Sequence, residues 1–154
     1  MSTNRRFRLA TPDDRDRLYE IWHGAVKTTH HFLSDAQFDE IAHAVKTEFL
    51  PNVAPEVLTG ADDVPLAFMS MTDHNIDALF VAADERGSGI GSAFLERTMA
   101  QFDTLTLEVN EQNPTAHAFY RHHGFEDVRR TPIDQEGRPF PLIYMRWQRG
   151  APSS

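Results

Sequence analysis

The chain has 154 residues, of which 40% are hydrophobic and 25% charged, and it contains no cysteine. This composition predicts one folded domain and excludes disulfides, zinc–thiolate sites and thiol nucleophiles. The net charge of -8 weighs against nucleic-acid binding and favours a basic small molecule or peptide as partner. No segment has the apolar length of a signal core or a membrane span, so we expect a cytoplasmic protein that does not bind membranes.

A short strand and two helices are predicted in the first third of the chain. Polar and apolar residues alternate over residues 5–10, which predicts a half-buried strand. Thr11 followed by Pro12 is typical of a helix start. Residues 34–37, SDAQ, form a capping-box pattern that predicts a second helix, ending before Pro51. The apolar residues recur at helical spacing: Leu18, Ile21, Trp22 and Ala25 in the first helix, and Phe38, Ile41, Ala42, Val45 and Phe49 in the second.

Strands and two further helices are predicted in the rest of the chain. Turn residues lie at 61–63 and around Asp73, and Leu105, Leu107 and Val109 share one face of a regularly alternating strand. Glycines precede the first of these helices, and a cap residue followed by proline marks the start of the second. In chain order the predicted elements are strands at 55–59, 65–71 and 75–82, a helix at 90–102, a strand at 104–109, a helix bracketed by Asn113, Pro114 and Gly124, and strands near 126–131 and 142–148.

Three glycines, Gly87, Gly89 and Gly91, lie between a predicted strand and a predicted helix in the segment ADERGSGIGSAF. A helix start presents backbone N–H groups at the positive end of the helix dipole, and glycine lets a phosphate approach them closely. The pattern therefore predicts a phosphate site; a tight turn with no ligand is the alternative. Neighbouring side chains could add contacts: Arg86 by its charge, and Ser88 and Ser92 by their hydroxyls.

Two other phosphate-binding folds fit the glycines poorly. A P-loop requires lysine after its last glycine, whereas Gly91 is followed by Ser92. A dinucleotide fold requires G-x-G-x-x-G, but the sixth position counted from Gly87 is Ser92, and from Gly89 it is Phe94. The register is wrong, and too little chain remains for the second half of that fold.

The pattern R-x-x-G-x-G, formed by Arg86, Gly89 and Gly91, follows the segment ALFVAADE. Residues 113–125 read N-x-x-A-x-x-F-Y-x-x-x-G-F. Together these motifs resemble the GNAT family of acetyl-coenzyme A-dependent N-acetyltransferases, and the resemblance spans most of the chain. It implies an α/β fold with a mixed, mostly antiparallel central sheet, about four helices on both faces and a cofactor cleft where two central strands part. It also implies one domain over residues 1–149, with a flexible tail at 150–154.

The resemblance implies transfer of an acetyl group from acetyl-CoA to a primary amine by direct attack in a ternary complex. An acyl-enzyme is disfavoured because there is no cysteine and no serine in a nucleophile motif. In similar proteins the pyrophosphate lies on the glycine turn and the pantetheine arm lies beside the preceding strand. The implied cofactor contacts are Arg86, Gly87, Ser88, Gly89, Ile90, Gly91 and Ser92 for the pyrophosphate, the backbone of Leu79, Phe80 and Val81 for the pantetheine, and Asn113.

Acid and base candidates complete this chemistry. By resemblance Tyr120 protonates the leaving sulfur, a role that suits a phenol; the alternative is an amphipathic core residue. A protonated amine must lose a proton, and Glu108, on the polar face of its strand, is the first candidate for the base. Asp77 and His74 are the next candidates for the base. Asp77 is also a candidate for contact with the acceptor substrate. The alternative for Glu108 is a solvated or salt-bridged strand residue.

The eight histidines do not predict a metal site. His122 and His123 are adjacent, as are His30 and His31, and neighbours on a helix or strand point in different directions. By resemblance the segment of His30, His31 and Phe32 borders the acceptor pocket and contributes to specificity. Surface histidine is the alternative.

A different class of function is a non-catalytic acyl-CoA-binding sensor or interaction module. Such a protein would keep the glycine turn but would not need the general acid. The presence of Tyr120 therefore favours an enzyme over a binding module. The acceptor stays open between a small-molecule amine and the amine of a peptide or protein. Similar proteins are often dimers, which leaves a homodimer open.

Overall fold

The computed structural model describes residues 5–29, 33–85, 87–134 and 137–150. Four α-helices and seven strands are found in this part of the chain. Short 3-10 or π turns join some of them. The elements are β1 Arg6–Leu9, α1 Arg15–Thr29, α2 Asp35–Ala44, β2 Glu56–Thr59, β3 Pro65–Thr72, β4 Asn75–Val81, α3 Ile90–Met99, β5 Thr104–Asn110, α4 Pro114–His122, β6 Glu126–Thr131 and β7 Leu142–Gln148.

The strands follow the order β1-β2-β3-β4-β5-β7-β6. The pairs β1–β2, β2–β3, β5–β7 and β6–β7 are antiparallel, whereas β4 and β5 are parallel. The α/β class with a mixed, mostly antiparallel sheet is therefore confirmed. No helix of the described residues is long and apolar enough to cross a membrane.

The chain forms two compact units. The first contains Met1–Met71 and Ala78–Leu95, and the second contains Thr72–Asp77 and Glu96–Ser154. We call them the N-terminal unit and the C-terminal unit. The single domain over residues 1–149 stays a prediction.

The core of the N-terminal unit includes the apolar face of α1, as predicted: Leu18, Ile21, Trp22 and Ala25 are all buried. The capping box of α2 is also confirmed, because Gln37 N donates to Ser34 Oγ at 3.1 Å. The predicted length of α2 is wrong. It ends at Ala44, and a π turn, Val45–Phe49, follows.

The predicted strand β1 is found, and its apolar Phe7 is half-buried, but the predicted alternation is wrong at the next two residues: Leu9 is 67% exposed, whereas Arg8 is half-buried. Arg8 bonds the carboxylate of Asp14 through Nη1 and Nη2, at 2.8 and 3.1 Å, and that of Asp63 through Nε at 3.0 Å. The chain turns at Thr11, whose N–H donates to Asp14 at 2.8 Å. Long-range ion pairs, rather than alternation, decide which side chain is covered here.

In the C-terminal unit, β5 alternates as predicted, with Leu105, Leu107 and Val109 buried. The predicted end of α3 at residue 102 is wrong, since the helix ends at Met99. The Arg149 guanidinium donates to the carbonyls of Met99 and, at 2.9 Å, Phe102, so a distant side chain binds carbonyls where the helix stops.

Candidate active site

The glycine turn belongs to the N-terminal unit and leads into α3. Gly87 and Gly89 have φ angles of +80° and +82°, and a Cβ built at either position meets no atom within 4 Å. These glycines are therefore needed for backbone conformation, and the space beside them is open. Gly89 is the N-cap of α3, because its carbonyl accepts the Ala93 N–H at 2.9 Å. This helix start with open space beside it is the arrangement that the predicted phosphate site requires; the site itself stays a prediction.

The other predicted contacts to the pyrophosphate are distributed around this turn. Ile90 is buried, Gly91 and Ser92 are half-buried in the first turn of α3, and Ser88 is exposed. The Ser88 hydroxyl donates to the Glu85 carbonyl at 2.5 Å, which holds it within the turn. Arg86 lies outside the described residues.

The end of β4 also lies in the N-terminal unit, where Leu79, Phe80 and Val81 are half-buried. The Phe80 ring packs against Phe68 with ring centroids 5.5 Å apart. The Phe80 side chain packs against the core, and the contact of its backbone with the cofactor stays a prediction.

Glu108 and Asp77 lie on neighbouring strands of the C-terminal unit. The parallel register pairs Asn75 with Thr106 and Ile76 with Leu107, and Asp77 and Glu108 are the next residue on each strand. Strand alternation places both carboxylates on the face that carries Asn75 and Thr106, whose side chains hydrogen bond at 2.7 Å. The two candidate bases therefore lie on one sheet face, each one residue beyond the last paired residue of its strand.

Asp77 has partners within the protein. Its carboxylate accepts from Thr72 Oγ1 at 2.5 Å and from Asn75 Nδ2 at 2.7 Å. Glu108 is half-buried, whereas Asp77 is exposed. The more enclosed Glu108 remains the better candidate for the base, with Asp77 beside it. His74 is exposed, and its carbonyl accepts the Thr106 N–H at 3.1 Å.

Tyr120 lies on α4 and is half-buried. Its ring makes edge contacts with Phe119 and Phe125, at centroid distances of 5.2 and 5.6 Å. The Phe125 N–H donates to the Tyr120 carbonyl at 3.0 Å, so helix and loop fix this residue. Burial raises the pKa of the Tyr120 phenol above its usual value near 10.

Asn113 corrects one step of the sequence argument. It is the N-cap of α4, with φ −116° and ψ 77°, and its Oδ1 accepts the Ala116 N–H at 3.2 Å. In the sequence, Asn113 and Tyr120 are seven residues apart, about two helical turns, which predicts that both project from one face of the helix. Because Asn113 is not helical, this spacing does not place it on the same face as Tyr120. Asn113 is buried and caps the helix; its contact with the cofactor stays a prediction.

The remaining predicted residues, His30, His31 and Phe32, lie outside the described residues. Among residues that the structure does describe, no group of three or more metal-binding side chains is found. His117 Nε2 instead lies 2.8 Å from Asp127 Oδ1, which ties α4 to β6.

Tyr144 is a residue of the site that the sequence argument missed. It lies directly opposite Glu108 in the β5–β7 register, and opposed residues share a face. The Arg129 guanidinium lies 3.8 Å above its ring. Alternation in β7 separates Tyr144 from the buried Ile143 and Met145, but only the register shows that it is next to Glu108.

Comparison with known proteins identifies the family. Residues 58–127 match the model of the acetyltransferase (GNAT) domain. The peptidyl-lysine N-acetyltransferase YjaB of Salmonella typhimurium is 38% identical over 88% of this chain and 93% of that protein. The solution structure of apo YjaB from Escherichia coli, 34% identical, covers 96% of this chain and 99% of that one with a TM-score of 0.88.

A more distant structure shares only the fold. It is yncA from Salmonella typhimurium, solved with its cofactor acetyl-CoA; it is 19% identical and covers 99% of this chain and 98% of that one, with a TM-score of 0.64. The fold and the close relatives together define an acyltransferase. The chain belongs to the GNAT family of N-acetyltransferases. The family resemblance and the enzyme class predicted from the motifs are thus confirmed.

Proposed function

We propose that this enzyme transfers the acetyl group of acetyl-CoA to the side-chain amine of lysine in a protein or peptide. The observation that carries the proposal is the 38% identity to YjaB over 93% of that protein, whose name is peptidyl-lysine N-acetyltransferase. The net charge of -8 supports it, because an acidic surface attracts a cationic acceptor.

The glycine turn is the proposed binding site for the diphosphate of acetyl-CoA. Positive φ at Gly87 and Gly89 and the open space at both Cβ positions fit a bulky anion held by backbone N–H groups. Acetyl-CoA supplies the acetyl group as an activated thioester. In this proposal the backbone of Leu79, Phe80 and Val81 orients the pantetheine arm, and Arg86 and Asn113 add polar contacts.

Glu108 is the proposed general base. It takes a proton from the acceptor ammonium, directly or through one water, so that the neutral amine attacks the thioester carbon within a ternary complex. Asp77 lies on the same sheet face and contributes negative charge, which favours binding of a cation. Its hydrogen bonds from Thr72 and Asn75 hold that carboxylate in place.

Tyr120 is the proposed general acid. As the bond between the acetyl carbon and sulfur breaks, the phenol donates its proton to the departing thiolate. The raised pKa of Tyr120 keeps the phenol protonated at neutral and mildly alkaline pH. It also keeps the phenolate from accumulating between turnovers.

A panel of acceptors tests the substrate class. Five kinds of acceptor are assayed with acetyl-CoA at equal concentrations. They are a lysine peptide with a blocked N-terminus, the same peptide with arginine for lysine, a peptide with a free N-terminus, a polyamine and free amino acids. Release of free thiol is followed, and mass spectrometry locates the acetyl group. We expect turnover on the lysine peptide to exceed turnover on each of the other acceptors by about tenfold or more. Preference for a small amine would refute the protein acceptor while leaving the acyltransferase intact.

Replacement of Tyr120→Phe separates catalysis from binding. We expect kcat to fall about 100-fold or more, because a positioned acid contributes at least this much, while the Kd for acetyl-CoA changes little. Tyr19→Phe is the matched control, since it removes a phenol from α1 of the N-terminal unit. Unchanged turnover in Tyr120→Phe would remove Tyr120 from the mechanism. Tight acetyl-CoA binding without turnover on any acceptor would favour a sensor module instead.

The raised pKa of Tyr120 predicts the alkaline side of the pH profile. The acid form is retained as pH rises, so kcat should show no decline up to about pH 9, below the ordinary tyrosine pKa near 10. The measurement is kcat at saturating substrates from neutral pH upward. A reversible decline below pH 9 that disappears in Tyr120→Phe would contradict the assignment.

A further inference from the structure

One face of the sheet in the C-terminal unit carries an acid, an aromatic ring and a base in a row. Glu108 of β5 is paired with Tyr144 of β7, and Tyr144 is paired with Arg129 of β6. We propose that Arg129 binds a carboxylate of the acceptor, so that the enzyme prefers a lysine with aspartate or glutamate two residues away. This inference rests on the proposed function, in which Glu108 is the base that receives the lysine.

The row lies on the sheet face opposite to the one that α4 contacts. His117 of α4 lies 2.8 Å from Asp127, and Asp127 is paired with the buried Met145, so this helix packs on the buried face. In the row, the acid and the ring are half-buried and the base is exposed. We call this surface the Tyr144 face. Its side chains are accessible to an acceptor chain.

The Arg129 guanidinium is stacked on a ring but has no hydrogen-bond acceptor. Its Cζ lies 3.8 Å from the centre of the Tyr144 ring, which is within the range of a cation–π contact. Within the described part of the chain, its N–H donors bind no other residue. The next residue differs, because Arg130 binds the carboxylate of Glu111 through Nε and Nη2. A stacked guanidinium with an unused fork is preorganised to bind a carboxylate.

The neighbouring charges leave the positive potential of this face at Arg129. The other arginine of the Tyr144 face, Arg146, is paired across the strands with Glu126, an acid that offsets its charge. Arg129 is paired instead with the uncharged ring of Tyr144. A carboxylate that approaches the row is therefore attracted to Arg129 more than to Arg146.

The strand spacing determines how far this carboxylate lies from the lysine. Neighbouring strands are about 4.8 Å apart, so the Cα atoms of Glu108 and Arg129 are about 10 Å apart across β7. The guanidinium reaches over the ring of Tyr144, on the strand between them, which shortens this gap. In an extended peptide, side chains two residues apart point to the same side at about 7 Å. A lysine directed to Glu108 thus brings an acid two residues away to Arg129.

The sign of this preference distinguishes a local contact from the overall field. With a net charge of -8, the protein as a whole attracts cations and repels an acidic peptide. An acid in the acceptor should therefore weaken binding at most positions and strengthen it only where it meets Arg129. A gain at one spacing is the opposite of what net charge predicts.

A set of peptides tests the spacing. Each contains one lysine, has a blocked N-terminus and an amidated C-terminus, and carries one glutamate at one to four residues before or after the lysine. Glutamine at the same position is the matched control. With glutamate two residues from lysine on at least one side, we expect kcat/KM to rise about three- to fivefold over the glutamine peptide. The gain should appear in KM rather than in kcat and shrink as salt is raised.

Variants of the row identify the residue responsible. Arg129→Gln should abolish the glutamate preference, and Arg129→Glu should convert it into a preference for arginine at the same position. Arg130→Glu changes the net charge equally on the opposite face and should keep the preference. Tyr144→Phe keeps the ring and the preference, whereas Tyr144→Leu removes the stacking surface and should reduce it. A purely structural role of Arg129 would change kcat/KM for the glutamate and glutamine peptides by the same factor.

The outcomes separate this inference from the proposed function. The inference is overturned if lysine peptides are acetylated without a gain at a particular spacing, or if the gain persists in Arg129→Gln; the proposed function then stands. Circular dichroism shows whether Arg129→Glu is folded, and Arg129→Gln decides the question if it is not. Acetylation of no lysine peptide would refute the proposed function and this inference together.

Discussion

The two compact units carry candidate sites of opposite character. In the N-terminal unit the glycine turn is a main-chain site, with positive φ at Gly87 and Gly89 and open space beside both. In the C-terminal unit the candidates are side chains, Glu108 on a sheet face and Tyr120 between two phenylalanine rings. A main-chain site is damaged by adding atoms, whereas a side-chain site is damaged by removing them. This difference predicts different kinetic signatures.

The largest effect should come from the side-chain site. Glu108→Gln removes the proposed base and keeps the shape of the side chain, so we expect kcat to fall about 100-fold near neutral pH. The loss should shrink as pH rises, because more of the amine is then neutral in solution. Glu20→Gln, on the exposed surface of α1, is the control. A loss that is constant from acid to alkaline pH would indicate a positioning role for Glu108 and would break the comparison.

The next largest effect should come from the ion pair between Arg8 and Asp14 in the N-terminal unit, and it should change stability but not catalysis. Arg8→Met leaves the buried Asp14 without its bidentate partner, and we expect a loss of about 2 kcal/mol in the free energy of unfolding. Chemical denaturation measures this loss. Turnover per folded molecule should stay the same, and a large fall in kcat would show that the ion pair serves the site as well as the scaffold.

The same ion pair predicts a pH dependence. Hydrogen bonding to Arg8 lowers the pKa of Asp14 in the folded protein. The ion pair therefore stabilises the fold fully above the unfolded-state pKa of Asp14, and this stabilisation is lost as pH falls through the folded-state pKa. The difference in stability between the parent and Arg8→Met should be constant near neutral pH and shrink below about pH 4. A difference that grows in acid would contradict this pairing.

The smallest effect should come from the main-chain site and needs a matched pair. Gly89→Ala and Gly137→Ala both add a Cβ at positive φ, +82° and +78°, and neither Cβ meets an atom within 4 Å. Both should lose similar stability, about 1–2 kcal/mol. Only Gly89→Ala should also weaken acetyl-CoA binding, by about tenfold, as measured by calorimetry. Equal affinities in the two variants would mean that Gly89 serves the turn rather than a ligand.

Much of the candidate site could be predicted because its signals are local. The glycine turn, the cap at Asn113, the left-handed Gly124 and the alternation of β5 each depend on a few neighbouring residues. The position of Tyr144 opposite Glu108 could not be predicted, since it depends on a register between strands that are distant in sequence.

The sequence by itself determined where most helices and strands begin and which family chemistry this protein carries, because caps, periodicity and short motifs act over a few residues. The tertiary structure alone decided that Arg8 is half-buried while Leu9 is exposed, and that Arg149 binds the carbonyls of Met99 and Phe102 where α3 stops. It also decided that Asp77 and Glu108 lie on one face of neighbouring strands, and that β6 is the last strand in the described sheet. These features arise from contacts between residues far apart in the chain, and no local pattern encodes such contacts.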